Sequence, residues 1–476
     1  MYVTNLCNTR KNEVLSVQAR AKLLLVFRII SWSAIIGLDV CCMIELEIVK
    51  FFIHDTSLFL FSSLIIPVAI FSIFFYVFGI IGIAQKNGKY KEKKMSTLPK
   101  VTIQIPTFNE PVAIRCAEQC LSMDYPKDKY EIIIGDDSSK KEVSDMLDTF
   151  AKKHKGRIKI VRRSTNTGFK AGNVNNMLRY STGDILVIFD SDFMPTNDFL
   201  RRIVQPFGDK KVACVQAKWS YINMNQSPTA KFASTVLMVY HNILARLNNA
   251  AGVSLLFGSG EAVRKDVLVK LGGWQEGSVT EDVEFSVRAL TKGYKTVYLH
   301  DLQVGGEVPY NIRSLRTQQR RWAYGNMKAF MEHKRDILFG KFSIMQKALM
   351  SFTMLGYISS FFLVAFMFFG AISFMTGNPS DINVMRLLTD VLINFVLASG
   401  FTFAGIVSLY KENKLSHVIV VFFSALTIGI LVSLSVCNGI IKALRGKPMY
   451  WIVIKKKGNN EFLPDLYGLQ VPLKPR

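Results

Sequence analysis

Apolar positions run along this chain in two textures. Two long runs, Leu23–Ile44 and Leu58–Ala84, come first, and each reaches the roughly 20 residues a helix needs to cross a hydrocarbon core. Three more follow late, near Leu349–Met375, Leu387–Leu409 and Val418–Ile441. Between Val101 and Gly306 the apolar residues fall instead in short runs. VTIQI, EIIIG, RIKIV, DILVIF, VACVQA and KTVYL read as strands. Helical periodicity separates them at Val112–Met123, Lys140–His154, Ala171–Tyr180 and Asp198–Gln205. That alternation predicts an α/β domain with a mainly parallel sheet and helices on both faces, whose ligands bind beyond the carboxyl ends of the strands. Ile312–His333 is basic and aromatic and predicts a helix at a membrane interface. The chain thus divides into an N-terminal region with two transmembrane helices (1–98), the α/β domain (99–310), interfacial amphipathic helices (311–345), a C-terminal transmembrane region (346–443) and a basic tail (444–476).

Charge sharpens this picture. The 476 residues are 50% hydrophobic and carry a formal net charge of +23, with a mean hydropathy of +0.23. These values point to a membrane protein. So basic a chain suits either nucleic acid or an anionic lipid surface with anionic nucleotide substrates, and the apolar runs favour the second, with no nucleic acid partner expected. The basic stretch Lys86–Lys100 marks the cytosolic end of the second run. Arg28 and Asp39 fall inside the first run, where charged side chains face protein or snorkel to the surface. Three late crossings would leave the tail outside, yet Arg445, Lys447 and Lys455–Lys457 argue for inside, so one late segment is re-entrant or interfacial. The seven cysteines form no CxxC pair and read as reduced, packed residues. The six histidines form no HExxH. The first apolar run is too long for a cleaved signal peptide and lacks a small-residue cleavage site.

Candidate chemistry sits where the strands end. ILVIFDSDFM closes an apolar run with Asp190 and Asp192, which at positions i and i+2 of an extended chain share a face. Two convergent carboxylates are costly without a cation between them, and hard oxygen ligands suit Mg²⁺ or Mn²⁺. A solvated turn is the plain alternative. Asp136 and Asp137 follow EIIIG and suit a nucleobase imide or a ribose, with an Asx turn as the alternative. Thr107 and Glu110 in IPTFNEP follow the first strand, where a helix cap would explain them equally. NTGFKAGN puts Lys170 in a glycine-bearing loop that suits close backbone approach to a phosphate. Thr280, Glu281 and Asp282 precede an amphipathic helix, as an ordinary helix start or as the seat of a general base on an acceptor hydroxyl. In QQRRW, Gln318 aligns with Arg321 and Trp322 on one helix face, where an indole can stack on sugar and a guanidinium can clamp a pyrophosphate.

The order of these segments resembles the processive family-2 glycosyltransferases, the group of cellulose, chitin and hyaluronan synthases. IPTFNE, DDSS, NTGFKAGN, FDSDFMP, VQAKWSYIN, the stretch from GGW to TEDVEFSVRALTKGYK, and QQRRW look closest to cellulose-synthase-like glucan and mannan synthases, over nearly the whole chain. The resemblance implies a Rossmann-like glycosyltransferase A-type domain on the cytosolic face, joined to a channel-forming, α-helical transmembrane bundle in a multi-pass cell-membrane protein. By it, Thr107, Glu110, Asp136, Asp137, Lys170, Asp190, Gln318 and Arg321 hold the donor nucleotide, and Asp190 and Asp192 hold Mn²⁺ or Mg²⁺. Asp282 is the base with Glu281 beside it, and Trp322, Glu281 and the loop residues Gly258, Ser259 and Gly260 meet the acceptor. Relatives carry a threonine- or asparagine-containing acceptor loop where this chain has FGSGE, Phe257–Glu261.

The implied activity is inverting transfer that lengthens and exports a β-linked glucan or mannan. UDP-glucose, GDP-mannose and UDP-N-acetylglucosamine all suit a carboxylate-plus-metal site. A non-processive transferase to a polyprenyl phosphate or ceramide is the alternative, and QxxRW weighs against it. Intact carboxylates at all matched positions weigh against a transporter or scaffold with an inactive sheet domain.

Overall fold

The computed structural model describes residues 2–85, 95, 97–377, 383–449, 454, 456 and 458. Most of the basic run after Lys86 and most of the tail, Lys455 and Lys457 included, lie outside the described residues, as does the side chain of Asp39. The chain forms two compact units, Met1–Leu64 with Ala365–Asp390, and Ile65–Val364 with Val391–Arg476.

The second unit holds the sheet. Its strands are β1 (Val101–Thr107), β2 (Tyr130–Asp136), β3 (Ile158–Val161), β4 (Ile185–Ile188), β5 (Met194–Pro195), β6 (Val212–Tyr221), β7 (Glu261–Arg264) and β8 (Lys295–Gly306), in the order β3-β2-β1-β4-β7-β6-β8-β5. Six of them coincide with the apolar runs. The runs look continuous because both faces are covered. Ile132 and Ile134 point into one core with Ile103, Ile105 and Val187, while Ile133 points into the other with Leu186, Ile188 and Phe285. The sheet is mixed, with four of its seven strand pairings parallel. β1–β2, β1–β4, β2–β3 and β6–β8 are parallel, but β7 runs antiparallel to β4 and β6, and β5 to β8. β7 is four residues, EAVR, with charged ends and no apolar run, so periodicity does not reveal it.

Helices pack the second unit on both sides. The predicted interfacial helix is Ile312–Phe339, started by the Asn311 side chain accepting the Ser314 N–H at 2.9 Å. Val418–Leu444 lies along it: Arg316 Nε donates to Ser435 Oγ at 2.8 Å, and Val436, Ile440 and Ala443 pack on Ala323, Tyr324 and Met327. Farther back, Val421 and Ile428 pack on Phe232, Tyr221 and Leu315. Both ends of this apolar helix therefore rest against the sheet domain's own helices. The end of Gly400–Lys411 does too, because Glu412 pairs with Lys218 of β6.

The two early apolar runs are one continuous helix, Tyr2–Ala84, instead of two. In the first unit, its Phe61 ring stacks on Phe366 at 4.4 Å, and His54 Nδ1 lies 2.9 Å from Ser373 O. Among the described residues, Glu45–Ala84, Ile358–Thr376 and Leu415–Leu444 are long and apolar enough to cross a membrane. Val384–Ala398 and Gly400–Lys411 together pass the same test but bend by 58° at the break between them. Cys116, Cys120, Cys214 and Cys437 are free and buried, as reduced packing residues are.

Candidate active site

The carboxyl ends of β1, β2 and β4 open on one cleft. Thr107, Glu110, Asp137, Lys170, Asp190, Asp192, Gly258, Glu281, Asp282, Gln318, Arg321 and Trp322 all line it. Twelve residues chosen from separate motifs thus converge, because parallel strands deliver the loops after them to one edge. Asn109, with a left-handed φ of 56°, ties two of these loops together. Its N–H and side chain bind Ser138, Ser139 and the Lys140 N–H at 2.9–3.0 Å.

Asp136 does not reach the cleft. Its side chain is fully buried, accepting from the Ser138 N–H at 3.0 Å, Ser144 Oγ at 2.8 Å and Arg162 Nε at 2.8 Å. Burial pushes its carboxyl up, and these hydrogen bonds outweigh that and hold it below the usual range. It is a loop anchor rather than a nucleotide contact. Asp137 faces the cleft, with Arg163 donating to both its oxygens. Arg163 also donates to Phe169 O at 2.8 Å, and so ties the second acidic loop to the glycine loop. Room at Gly172 goes to this protein contact, since a Cβ there would lie 2.3 Å from Arg163 Nη1 and 2.2 Å from Thr167 O. The glycine serves arginine packing, and Lys170 lines the cleft with Asn166, Phe169 and Asn173 of the same stretch.

Asp190 and Asp192 lie just beyond β4. Asp190 pairs with Lys170 Nζ at 2.7 Å. Asp192 is buried, with Lys456 Nζ 2.7 Å from one oxygen and the Glu307 N–H 3.0 Å from the other. Burial raises the Asp192 pKa, Glu307 and Asp190 add to the rise, and Lys456 opposes it. Glu110 Oε2 accepts from Ser191 Oγ at 2.6 Å, and burial pushes its carboxyl up to about 7 against the pull of Lys456.

The base candidate sits across the cleft at the start of the helix Glu281–Thr291. Burial, with Glu281 adding to it, pushes Asp282 up to about 7, while Lys170 and backbone N–H groups oppose the rise. Lys170 bridges the two carboxylate groups: it pairs with Asp190, lies 3.7 Å from Glu281 Oε1 and donates to Gly258 O. Burial pulls its pKa down, but Asp190, Glu281 and Glu261 win and hold it above the usual lysine range. Gln318, Arg321 and Trp322 share the cleft-facing side of Ile312–Phe339, as their spacing predicts. Gln318 Oε1 is buried without a hydrogen-bond partner among the described residues. A buried acceptor of that kind asks for a donor from a ligand.

Ser259 and Gly260 leave the acceptor set. Ser259 Oγ accepts the Asp190 N–H at 2.9 Å, and its carbonyl takes Gln216 Nε2 and Trp219 Nε1. Gly260 bridges Ile188 O and the Ala217 N–H at 2.9 Å each. Both are sheet joints, and of that loop Phe257 and Gly258 line the cleft. Three contributors have no role in the sequence reading, although Trp219 lies within VQAKWSYIN. Trp219 lines the cleft with its ring 6.5 Å from that of Trp322. Glu307 joins Arg115 Nη2 and the Gly458 N–H to the Asp192 corner at 2.9 Å each. Lys456 comes from the tail, 264 residues from the carboxylate it meets. Its only sequence signal is the cluster Lys455–Lys457, which reads equally as a membrane-surface charge.

Among the described residues no group of three or more His, Cys, Asp or Glu is arranged to hold a metal ion. Asp190 and Asp192 nevertheless fit one. They are hard oxygen donors, one is buried against a cation already, and a divalent ion so bound takes its other ligands from phosphate.

Residues 99–325 match the family described as glycosyltransferase like family 2, and residues 264–467 match cellulose synthase. The probable glucomannan 4-beta-mannosyltransferase 11 of Oryza sativa subsp. japonica is 32% identical over 257 residues, 51% of this chain and 44% of that protein. Glucomannan 4-beta-mannosyltransferase 2 of Arabidopsis thaliana is 30% identical over 261 residues, 53% and 49% respectively. The chain spans about half the length of the curated relatives it matches. Among solved structures, the mannosyltransferase PcManGT from Pyrobaculum calidifontis, in complex with GDP-Man and Mn²⁺, superposes with a TM-score of 0.56 at 19% identity. That match covers 77% of this chain and 98% of PcManGT, and shows the same fold. With a glycosyltransferase A-like mixed sheet and two family models that between them match residues 99–467, the chain is similar to the family-2 glycosyltransferases and the cellulose synthases.

Proposed function

We propose that the chain is a membrane-embedded, inverting glycosyltransferase that lengthens a β-linked mannan from a nucleotide sugar, with GDP-mannose as its donor. One observation carries the reading. A buried carboxyl near neutrality, Asp282, faces the Asp190–Asp192 pair across a cleft roofed by Gln318, Arg321 and Trp322. Inversion needs a base on the acceptor hydroxyl opposite the departing diphosphate. Asp282 takes that proton as the hydroxyl oxygen bonds to the anomeric carbon and the diphosphate leaves. Lys170, Lys456 and Arg321 offset the charge on the leaving group, and Asp137 with Arg163 meets the base end of the nucleotide. A divalent cation held by Asp190 and Asp192 adds charge neutralisation at the diphosphate. The glucomannan mannosyltransferase relatives favour mannose as the sugar.

The helical contacts support a cytosolic cleft and tail. Ile358 packs near Tyr324 and Glu412 pairs with Lys218, so both flanks of the late apolar segments are anchored on the sheet domain. Val418–Leu444 rests at both ends on that domain's helices, and Lys456 of the tail reaches the cleft. This packing supports reading it as the interfacial late segment that the tail's positive charge calls for.

Purified protein in lipid with Mn²⁺ or Mg²⁺ and a donor panel tests the reading. GDP-mannose is expected to give nucleotide release and polymer cut by β-mannan-specific hydrolases, with UDP-glucose and UDP-N-acetylglucosamine inactive. Nucleotide release without polymer would move the assignment to a lipid acceptor. Trp322→Ala is expected to shorten the product by weakening the stacked sugar, an effect of about 1–3 kcal/mol by analogy with ring stacking on bases, at unchanged donor KM. Equal losses in product length and donor affinity would make Trp322 a helix anchor only.

A further inference from the structure

One carboxyl behind the cleft takes no part in the transfer step. Glu261 opens β7, is 2% exposed, and accepts the Gly258 N–H on Oε2 at 2.9 Å. Gly258 holds a φ of +88°, its carbonyl receives the Lys170 ammonium, and a Cβ on it would lie 3.0 Å from Asp282 Oδ2 and 3.4 Å from Lys170 Nζ. The Gly258 backbone is thus a floor shared by the lysine and the base. Gln216, the cross-strand partner of Glu261, grips the same turn from the other side. It accepts the Phe257 N–H at 2.8 Å and donates to Ser259 O at 2.9 Å.

We propose that Glu261 is a positioning residue that, through Gly258, holds Asp282 and Lys170 at their working separation. This rests on the reading of Asp282 as the base. A buried carboxyl without a directly bonded cation is costly when ionised, so the group works as a neutral acceptor. Burial, and then Asp282, push its pKa well up, while Lys170 and the Gly258 N–H oppose that and Glu281 adds to it. Glutamine reproduces a neutral acceptor of this length and alanine removes it. A misplacement of about 1 Å at a reacting group costs on the order of 10²-fold in rate.

Full-length Glu261→Ala and Glu261→Gln, reconstituted in lipid, are compared with wild type for kcat of nucleotide release and for donor KM. Glu261→Ala is expected to lose kcat on the order of 10²-fold at unchanged donor KM, and Glu261→Gln to recover most of the loss. Wild-type kcat in Glu261→Ala, a parallel rise in donor KM, or a Gln variant as impaired as Ala would overturn the proposal. Should Glu261→Ala not fold, Gly258→Ala reads the same contact from the other side: its Cβ crowds Asp282, and an undiminished kcat sinks the idea. Asp282→Asn, run alongside, separates the two readings. An active Asp282→Asn removes the base assignment itself, whereas an inactive one beside a fully active Glu261→Ala removes only the positioning role.

Discussion

Asp282→Asn is expected to abolish sugar transfer while leaving donor binding intact and the protein more resistant to unfolding. A positioned general base contributes about 10²–10⁴-fold, and asparagine keeps the shape of the side chain while removing its ability to take a proton. In the proposed site donor contacts come from Asp137, Asp190 and the QxxRW helix, so the dissociation constant for the nucleotide sugar should not move. In the wild type, burial holds the Asp282 carboxyl at about 7, so kcat should rise with pH through that region as the base becomes free. Stability has the opposite slope. The folded state binds this proton more tightly than the unfolded chain, whose value is near the ordinary 3.8. The group's contribution is therefore complete below that value and is lost as pH rises through about 7. Asparagine carries no such titration, so the Tm advantage of the variant should widen across that window and level off above it. An Asp282→Asn variant that still transfers sugar, or a wild-type rate flat from pH 5 to pH 8 (about one unit or more either side of a neutral histidine-like range), would end the base assignment.

Much of this site was legible because its residues sit where a strand's apolar run stops, at a helix start or on one helix face. Asp190 and Asp192, Asp282, and the Gln318–Arg321–Trp322 face all line the cleft that their motifs imply. The misreadings have local causes. Asp136 and Asp137 are adjacent at a strand end, so their side chains point to opposite sides, and only one can serve a ligand. Position in sequence does not say which. Ser259 and Gly260 belong to a loop that reads as acceptor-facing, but they are absorbed into the joints of β4, β6 and β7, a connection hidden by the shortness of β7. Lys456 and Glu307 meet Asp192 only through tertiary structure. No period or motif links a tail lysine to a strand 264 residues earlier. Polar residues interrupt the apolar texture after Ile44 without breaking the helix, since Glu45, Glu47 and Lys50 are good helix formers and exposed there.

Asp192→Asn is the second large effect, and it tests the cation corner. Asparagine can still accept the Glu307 N–H that now reaches Asp192 Oδ2 at 3.0 Å, so the backbone there keeps its anchor. What disappears is the negative charge beside Lys456 Nζ, 2.7 Å away, and one of two hard donors for a divalent ion. Turnover in saturating donor is expected to fall by about 10²-fold or more, the scale of a lost charge-stabilising contact at a leaving group. Half-maximal activation should need far more Mn²⁺, and Mn²⁺ should no longer tighten nucleotide binding measured by calorimetry. The last readout is independent of turnover, so it separates a lost metal ligand from a disturbed cleft. Lys456 remains compensated in the variant by Glu110 and Asp190, which also raise its pKa, so the protein should insert and fold. If Asp192→Asn keeps the wild-type Mn²⁺ response, the carboxylate's partner is Lys456 alone, and the diphosphate's charge is met by Lys170, Lys456 and Arg321.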